Sequence, residues 1–277
     1  MNAPRQDHPD WLARLRLGDG LAWPAAMLML ALFVPVPLLP GEYWTHVATE
    51  ILILGLFAMS FNLLYGYMGQ ISFGHAAFFG VGAYATAMLF TALKTEDGQI
   101  GVPEFLASLL LGPPVAALAA LVIGFFCVRL TGIYFAMLTL AFGEMLFYIV
   151  FSWYSFTKGD DGIQGLLPPD FFQDATNYYY FTLVIVALAL FVMRRITESP
   201  FGSTLRTLRD NQRRAAFLGT TVKLHMLANF VIAGTFAGIA GALWGPFSRS
   251  VNPGLLGWGE SGIAVFMTLI GGAGAFI

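Results

Sequence analysis

Residues 105–128 read FLASLLLGPPVAALAALVIGFFCV, a run without a single charge. A helix needs about 20 largely apolar residues to cross a bilayer, so this stretch reads as a membrane span. The whole chain agrees with it. Of 277 residues, 57% are hydrophobic and only 11% are charged, and the mean hydropathy is +0.72. A soluble domain carries about 25% charge, and a compact soluble protein of this length could not cover its surface with so little. The composition therefore argues against a soluble enzyme, a disordered protein and a nucleic-acid binder. Lys plus Arg number 14 against 16 Asp plus Glu, which leaves no basic excess for phosphates. The single cysteine, Cys127, lies in the apolar run and argues against a disulfide framework or a cysteine-rich metal site.

Outward from this stretch, eight spans are expected: Leu21–Leu39, Val47–Tyr65, Ile71–Ala92, Phe105–Val128, Gly132–Trp153, Tyr178–Met193, His225–Phe247 and Glu260–Ile277. In the third, Gly74, Gly80 and Gly82 weaken a helix, so it either breaks or dips in and returns. The fold class is an all-α integral membrane protein, a multi-span helical bundle. Residues 1–20 form an N-terminal tail and 21–277 the membrane domain, with a loop at 194–224 inside it. The tail contains Asp7, Asp10 and Asp19 and lacks the apolar core of a secretory signal.

Charge sets the expected orientation. With a cytoplasmic N-terminus and alternate threading, the inner side holds Arg5, Arg14, Arg16, Arg129, Arg194, Arg195, Arg206, Arg209, Arg213, Arg214 and Lys223. The outer side holds only Lys94, Lys158 and Arg249, a clear positive-inside bias. The outer loops are acidic, with Glu96, Asp97, Glu104, Asp160, Asp161, Asp170 and Asp174 among them.

Catalytic patterns are missing. None of Lys94, Lys158 and Lys223 follows a glycine, so there is no Walker A phosphate cradle. His8, His46, His75 and His225 are scattered, and no two have metal-ligand spacing. Ionisable residues inside a span are functional suspects. Glu144 lies well inside one, and Glu50 lies near the start of another. The plain alternative for Glu144 is a satisfied interhelical hydrogen bond. Around the third span, Gln70, Ser72 and His75 sit among small residues such as Gly74, which suits a pathway lining or close helix packing. In the seventh, Gly234 with Gly238 and Gly241 with Gly245 form GxxxG pairs, read as packing. Tyr178, Tyr179, Tyr180 and Trp153 suit an interfacial belt.

The loop at 194–224 holds half of the positive charges. Pro200 can open a helix and Gly219 can close one. Leu205, Leu208, Phe217 and Leu218 give a partial apolar stripe at helical spacing. A short amphipathic helix under the membrane could dock into a groove on a partner. The alternative is a solvated loop whose arginines only fix topology.

Five segments carry a family resemblance: Asn62–Gly80 with its Gly-Gln-Ile-Ser-Phe-Gly-His run, Gly132–Phe142, Gly159–Gly162, Ser199–Gly219 and Gly271–Gly274. Together they resemble the LivM-type permease subunits of ABC importers for branched-chain amino acids. The resemblance implies a translocation subunit in a bacterial inner membrane. Its expected partners are a second homologous permease, two cytoplasmic ATPases and an external solute-binding protein. ATP and magnesium would belong to the ATPases, and this chain would carry no cofactor or catalytic residue. Arg209, Asp210, Asn211, Ala215, Leu218 and Gly219 would form the ATPase-coupling site. Gln70, Ser72, Gly74, His75 and Glu144 are the pathway candidates. Two departures stand out. Gln212 replaces a commonly acidic residue, and the chain stops at Ile277 where relatives continue through a further span. An incomplete C-terminus is therefore expected. An ion-coupled carrier and a non-transporting scaffold are the competing readings.

Overall fold

The computed structural model describes residues 33–38, 41–95 and 99–274. The tail at 1–20, most of the expected first span, Glu96, Asp97 and residues 275–277 lie outside the described residues.

Among the described residues, six helices are long and apolar enough to cross a membrane. The chain is thus an all-α, multi-span membrane protein. Helix α1 (Glu42–Asn62) runs on into a π-helical turn at Leu63–Tyr67. It is followed by α2 (Ala76–Leu93), α3 (Val102–Cys127), α4 (Ile133–Ser152) and α5 (Ala175–Glu198). Helix α6 (Pro200–Phe217) is the arginine-rich segment, α7 (Val222–Ser248) is the longest helix, and α8 (Trp258–Gly271) ends the described chain. At the end opposite α6, two short strands pair antiparallel, β1 (Ile163–Gln164) with β2 (Ser250–Val251).

Helices α2, α3 and α7 form the centre. Here backbone meets backbone: a Cβ at Gly241 would overlap the Phe79 carbonyl, and one at Gly82 would overlap Gly238. Gly234 and Gly238 in turn rest on the Ala120 and Ala116 methyl groups of α3. The glycines of α7 therefore serve packing, as their spacing suggests. Large rings fill the space beside them, with Phe78 edge-on to Phe230 at 5.3 Å and Phe230 edge-on to Phe135 at 5.8 Å.

Two expected spans are corrected. The third begins at Ala76 rather than Ile71, because residues 69–75 are not helical. That segment climbs along α4: Gln70 Oε1 accepts from the Gly132 N–H at 3.1 Å, and Gly74 packs on Thr139 and Gly143. The last begins at Trp258 and ends at Gly271, 14 residues in all. At 1.5 Å per residue it is roughly 21 Å long, short of the ~30 Å hydrocarbon core. From β2 the chain passes through a 3-10 turn at Pro253–Leu256, with Leu256 against Gly80, before the helix begins. Both helices are thus preceded by a non-helical segment, and they meet where Ser261 Oγ accepts from the Ala76 N–H at 2.9 Å.

The tyrosine belt is also corrected in part. Tyr180 and Trp153 are exposed, but Tyr178 and Tyr179 are buried. The Tyr178 hydroxyl donates to the Leu243 carbonyl at 2.6 Å.

Gly241→Ala is expected to destabilise the fold by about 1–3 kcal/mol through overpacking. Gly262→Ala, which meets nothing within 4 Å, is expected to be neutral or slightly stabilising. Thermal unfolding in detergent, followed by a thiol-reactive dye on buried Cys127, separates the two variants.

Candidate functional site

Of the pathway candidates, Gln70, Ser72, Gly74 and His75 are buried inside the fold. The His75 ring stacks on Phe57 at 5.6 Å and meets Phe61 and Phe78 edge-on. Its Nε2 shares a hydrogen bond with Ser60 Oγ at 2.9 Å. The His75 Nδ1 and Ser72 Oγ atoms are buried without a hydrogen-bond partner. A Cβ at Gly74 would overlap the Thr139 carbonyl, so the non-helical segment lies directly on α4. These four residues lie in the non-helical segment that leads into α2.

Glu144 plays the matching part for α8. It is half-buried on α4, and its Oε1 accepts from the Trp258 N–H at 3.3 Å. The first backbone N–H groups of a helix have no partner within it. In apolar surroundings an acceptor must be supplied, and a carboxylate also suits the positive end of the helix dipole. This is the interhelical hydrogen bond that stood as the plain reading of Glu144.

The arginine-rich segment is a helix from Pro200, and Gly219 follows its end with φ +85°, a left-handed conformation that glycine adopts without strain. It is two helices rather than one. Asn211 is extended, and its Oδ1 accepts from the Arg214 N–H at 3.0 Å. Asn211 therefore caps the second piece. Leu205, Leu208 and Ala215 face the protein and are buried. Phe217 and Leu218 project outward at 91% and 75% exposure, beside exposed Leu224.

Two arginines turn inward. The Arg206 guanidinium lies over the Tyr67 ring at 5.4 Å. Arg209 donates to the Gly66 carbonyl in the π-helical turn, and its stem packs on Gly69. Around the same carbonyl, Asn62 Oδ1 accepts from the Gly274 N–H at 3.0 Å. Asn229, fully buried on α7, donates to the Leu63 carbonyl at 2.8 Å. Arg209 thus ties α6 to the end of α1, and Asn62 ties that same end to the residues after α8. Of the six coupling candidates, Arg209, Asp210, Asn211, Leu218 and Gly219 are exposed and Ala215 is buried, with the Arg209 guanidinium bonded to the Gly66 carbonyl. Sequence reading named Phe217 in an apolar stripe and Arg206 only as a topology charge, and it passed over Asn229 and Ser261. Phe217 carried a signal, a large apolar side chain next to the helix-closing glycine. Asn229 and Ser261 carried none, because their partners are remote in sequence.

Among the described residues, no three His, Cys, Asp or Glu side chains gather as metal ligands would. The arrangement is one of polar contacts that hold backbone breaks, together with a projecting apolar tip.

Comparison with known proteins gives the context. A family model described as branched-chain amino acid transport system / permease component matches residues 43–277. The chain is 26% identical over 276 residues to the high-affinity branched-chain amino acid transport system permease protein LivM of Salmonella typhimurium, covering 90% of this chain and 63% of that protein. Identity to the Escherichia coli protein of the same name is 26% over 274 residues, covering 89% and 63%. The guanosine ABC transporter permease protein NupP of Bacillus subtilis is 35% identical over 108 residues, covering 37% of this chain and 30% of that protein. The chain spans about 63% of the length of the two LivM proteins. No solved structure gives a significant match.

Glu144→Gln keeps an oxygen acceptor for the Trp258 N–H, whereas Glu144→Leu removes it. The first is expected to match the wild type in thermal unfolding, and the second to lose about 0.5–2 kcal/mol, the range for a lost helix cap.

Proposed function

The chain belongs to the family of branched-chain amino acid transport permeases, and we propose on that premise that it is the translocation subunit of an ABC importer for branched-chain amino acids. In this reading it sits in the bacterial inner membrane with α6 on the cytoplasmic side. It performs no bond chemistry. Its partners are a second permease, two ATPase subunits and a solute-binding protein outside.

One observation carries the reading: the tip of α6. Phe217 and Leu218 stand out from an otherwise charged segment, next to the sharp turn at Gly219. Burying a Phe or Leu side chain fully is worth about 1.5–3 kcal/mol, so an apolar pocket on an ATPase would gain from both. Arg213 and Arg214, also exposed, surround the tip with positive charge. The same segment holds Arg209 against the Gly66 carbonyl. A push on the tip therefore reaches the π-helical turn of α1 through Arg209, with Arg206 over Tyr67 beside it. An ion-coupled carrier has no need of this tip, and the one carboxylate in the middle of α4 is already bonded to the Trp258 N–H.

Leu218→Asp and Phe217→Asp are expected to lower ATP-driven leucine uptake at least tenfold while the protein still reaches the membrane. Uptake of labelled leucine by cells carrying the complete transporter measures it, with the membrane level checked by immunoblot. Wild-type uptake in both variants sinks the docking assignment. Collapse of wild-type uptake under an uncoupler with ATP held constant sinks the ABC reading. Guanosine uptake by the same cells tests the substrate of the Bacillus relative.

A further inference from the structure

Side chains from two other helices hold the end of α1. In α-helical register each carbonyl accepts from the N–H four residues on. The Gly66 carbonyl would then accept from the Gln70 N–H. Instead it accepts from Arg209 of α6, and the Gln70 N–H reaches back to the Leu64 carbonyl at 3.1 Å. In the same register the Leu63 carbonyl would belong to the Tyr67 N–H, and Asn229 of α7 donates to it at 2.8 Å. Arg209 and Asn229 thus occupy acceptors that a longer, regular α1 would use itself.

Gly69 makes this ending reversible. Its φ is +72°, and its N–H closes the last turn on the Tyr65 carbonyl at 3.1 Å. A left-handed residue after the last turn stops a helix, and glycine adopts the left- and right-handed conformations about equally readily. The Arg209 stem lies against this glycine, with Cγ 3.0 Å from the position of a Cβ. One side chain therefore bonds the Gly66 carbonyl and covers the hinge. One residue further on, Gln70 Oε1 accepts from the Gly132 N–H at 3.1 Å, at the start of α4. Helix α4 is the least buried of the six described spans. Elements with few buried contacts open most easily, so α4 is the helix most dependent on that bond.

We propose that residues 63–70 form a two-state joint with Arg209 as its latch. With Arg209 on the Gly66 carbonyl, α1 stops at the π-helical turn and Gln70 holds the start of α4. When α6 is displaced and Arg209 withdraws, the Gly66 carbonyl takes the Gln70 N–H, Gly69 turns right-handed and α1 extends through it. Each residue of an α-helix winds the chain by about 100°, so the change swings Gln70 away from Gly132 and releases α4. Asn229, on the central α7, keeps the turn anchored throughout. The joint rests on the permease reading above, in which an ATPase displaces α6, and it names the movement that follows.

Two measurements on the assembled transporter in membranes test it. The first compares two substitutions of Gly69. Ala and Asn both add a Cβ against the Arg209 stem, but Asn tolerates the left-handed conformation far better. Gly69→Ala is expected to favour the extended helix and to lower ATP-driven leucine uptake at least tenfold while ATP hydrolysis continues. Gly69→Asn is expected to keep most of the uptake. Wild-type uptake by Gly69→Ala overturns the proposal. Equal loss in both variants also overturns it, by making the effect one of packing. The second measurement is amide hydrogen exchange at residues 129–135, around the start of α4. Exchange is expected to quicken several-fold in Gly69→Ala, in Arg209→Met and in the wild type with its ATPases held by vanadate, and to keep its resting rate in Gly69→Asn. A resting rate in Arg209→Met overturns the latch. Wild-type membranes that take up no leucine, while Arg209→Met still quickens exchange, sink the amino-acid reading and leave the joint standing, which tells the two failures apart.

Discussion

Everything in this bundle depends on satisfying backbone groups where water is absent. An uninterrupted helix pairs its own N–H and carbonyl groups, and a membrane tolerates little else. Among the described residues, the helices are interrupted at 69–75 and at 250–257. Each break leaves the first N–H groups of a helix without a partner in that helix. The Ala76 N–H is taken by Ser261, and the Trp258 N–H is taken by Glu144. Helix α8 therefore caps α2 through Ser261, and α4 supports both, through Gly143 under Gly74 and through Glu144.

A third irregularity follows the same logic. The π-helical turn at Leu63–Tyr67 frees carbonyls that an α-helix would have used, and such turns recur at functional sites. Asn229 takes the Leu63 carbonyl from one side and Arg209 takes the Gly66 carbonyl from the other. The second donor comes from outside the membrane bundle, on a segment whose apolar tip projects away from it. The amphipathic helix is thus tied to the bundle at one of the few places where the backbone has a free acceptor to offer.

Hydropathy made the long helices readable, since a charge-free run such as 105–128 has few alternatives in a bilayer. The limits of α3 and α4 fall within a few residues of expectation. The broken crossings were harder. Gly74 hinted at weakness, but where helix α2 starts is decided by Ser261, 185 residues away, and no local window contains that partner. The inward turn of Arg209 was half legible. It follows buried Leu205 by one turn, on the face that Leu208 also shares, yet nothing in the pattern names Gly66 as its acceptor. The split of α6 was legible in principle, because Asn211 precedes Arg214 by three residues, the spacing of a cap. The charged run around it read more naturally as one helix.

The glycine contacts at the centre have a mechanical meaning. Where Gly241 meets the Phe79 carbonyl and Gly82 meets Gly238, no side chain lies between the two backbones to change rotamer or take up slack. Close-packed interiors transmit displacement instead of absorbing it, and these contacts are closer than most. Helices α2, α3 and α7 therefore behave as one stiff block. Any rearrangement of the protein has to be hinged at its periphery, in α1, α8 and α6.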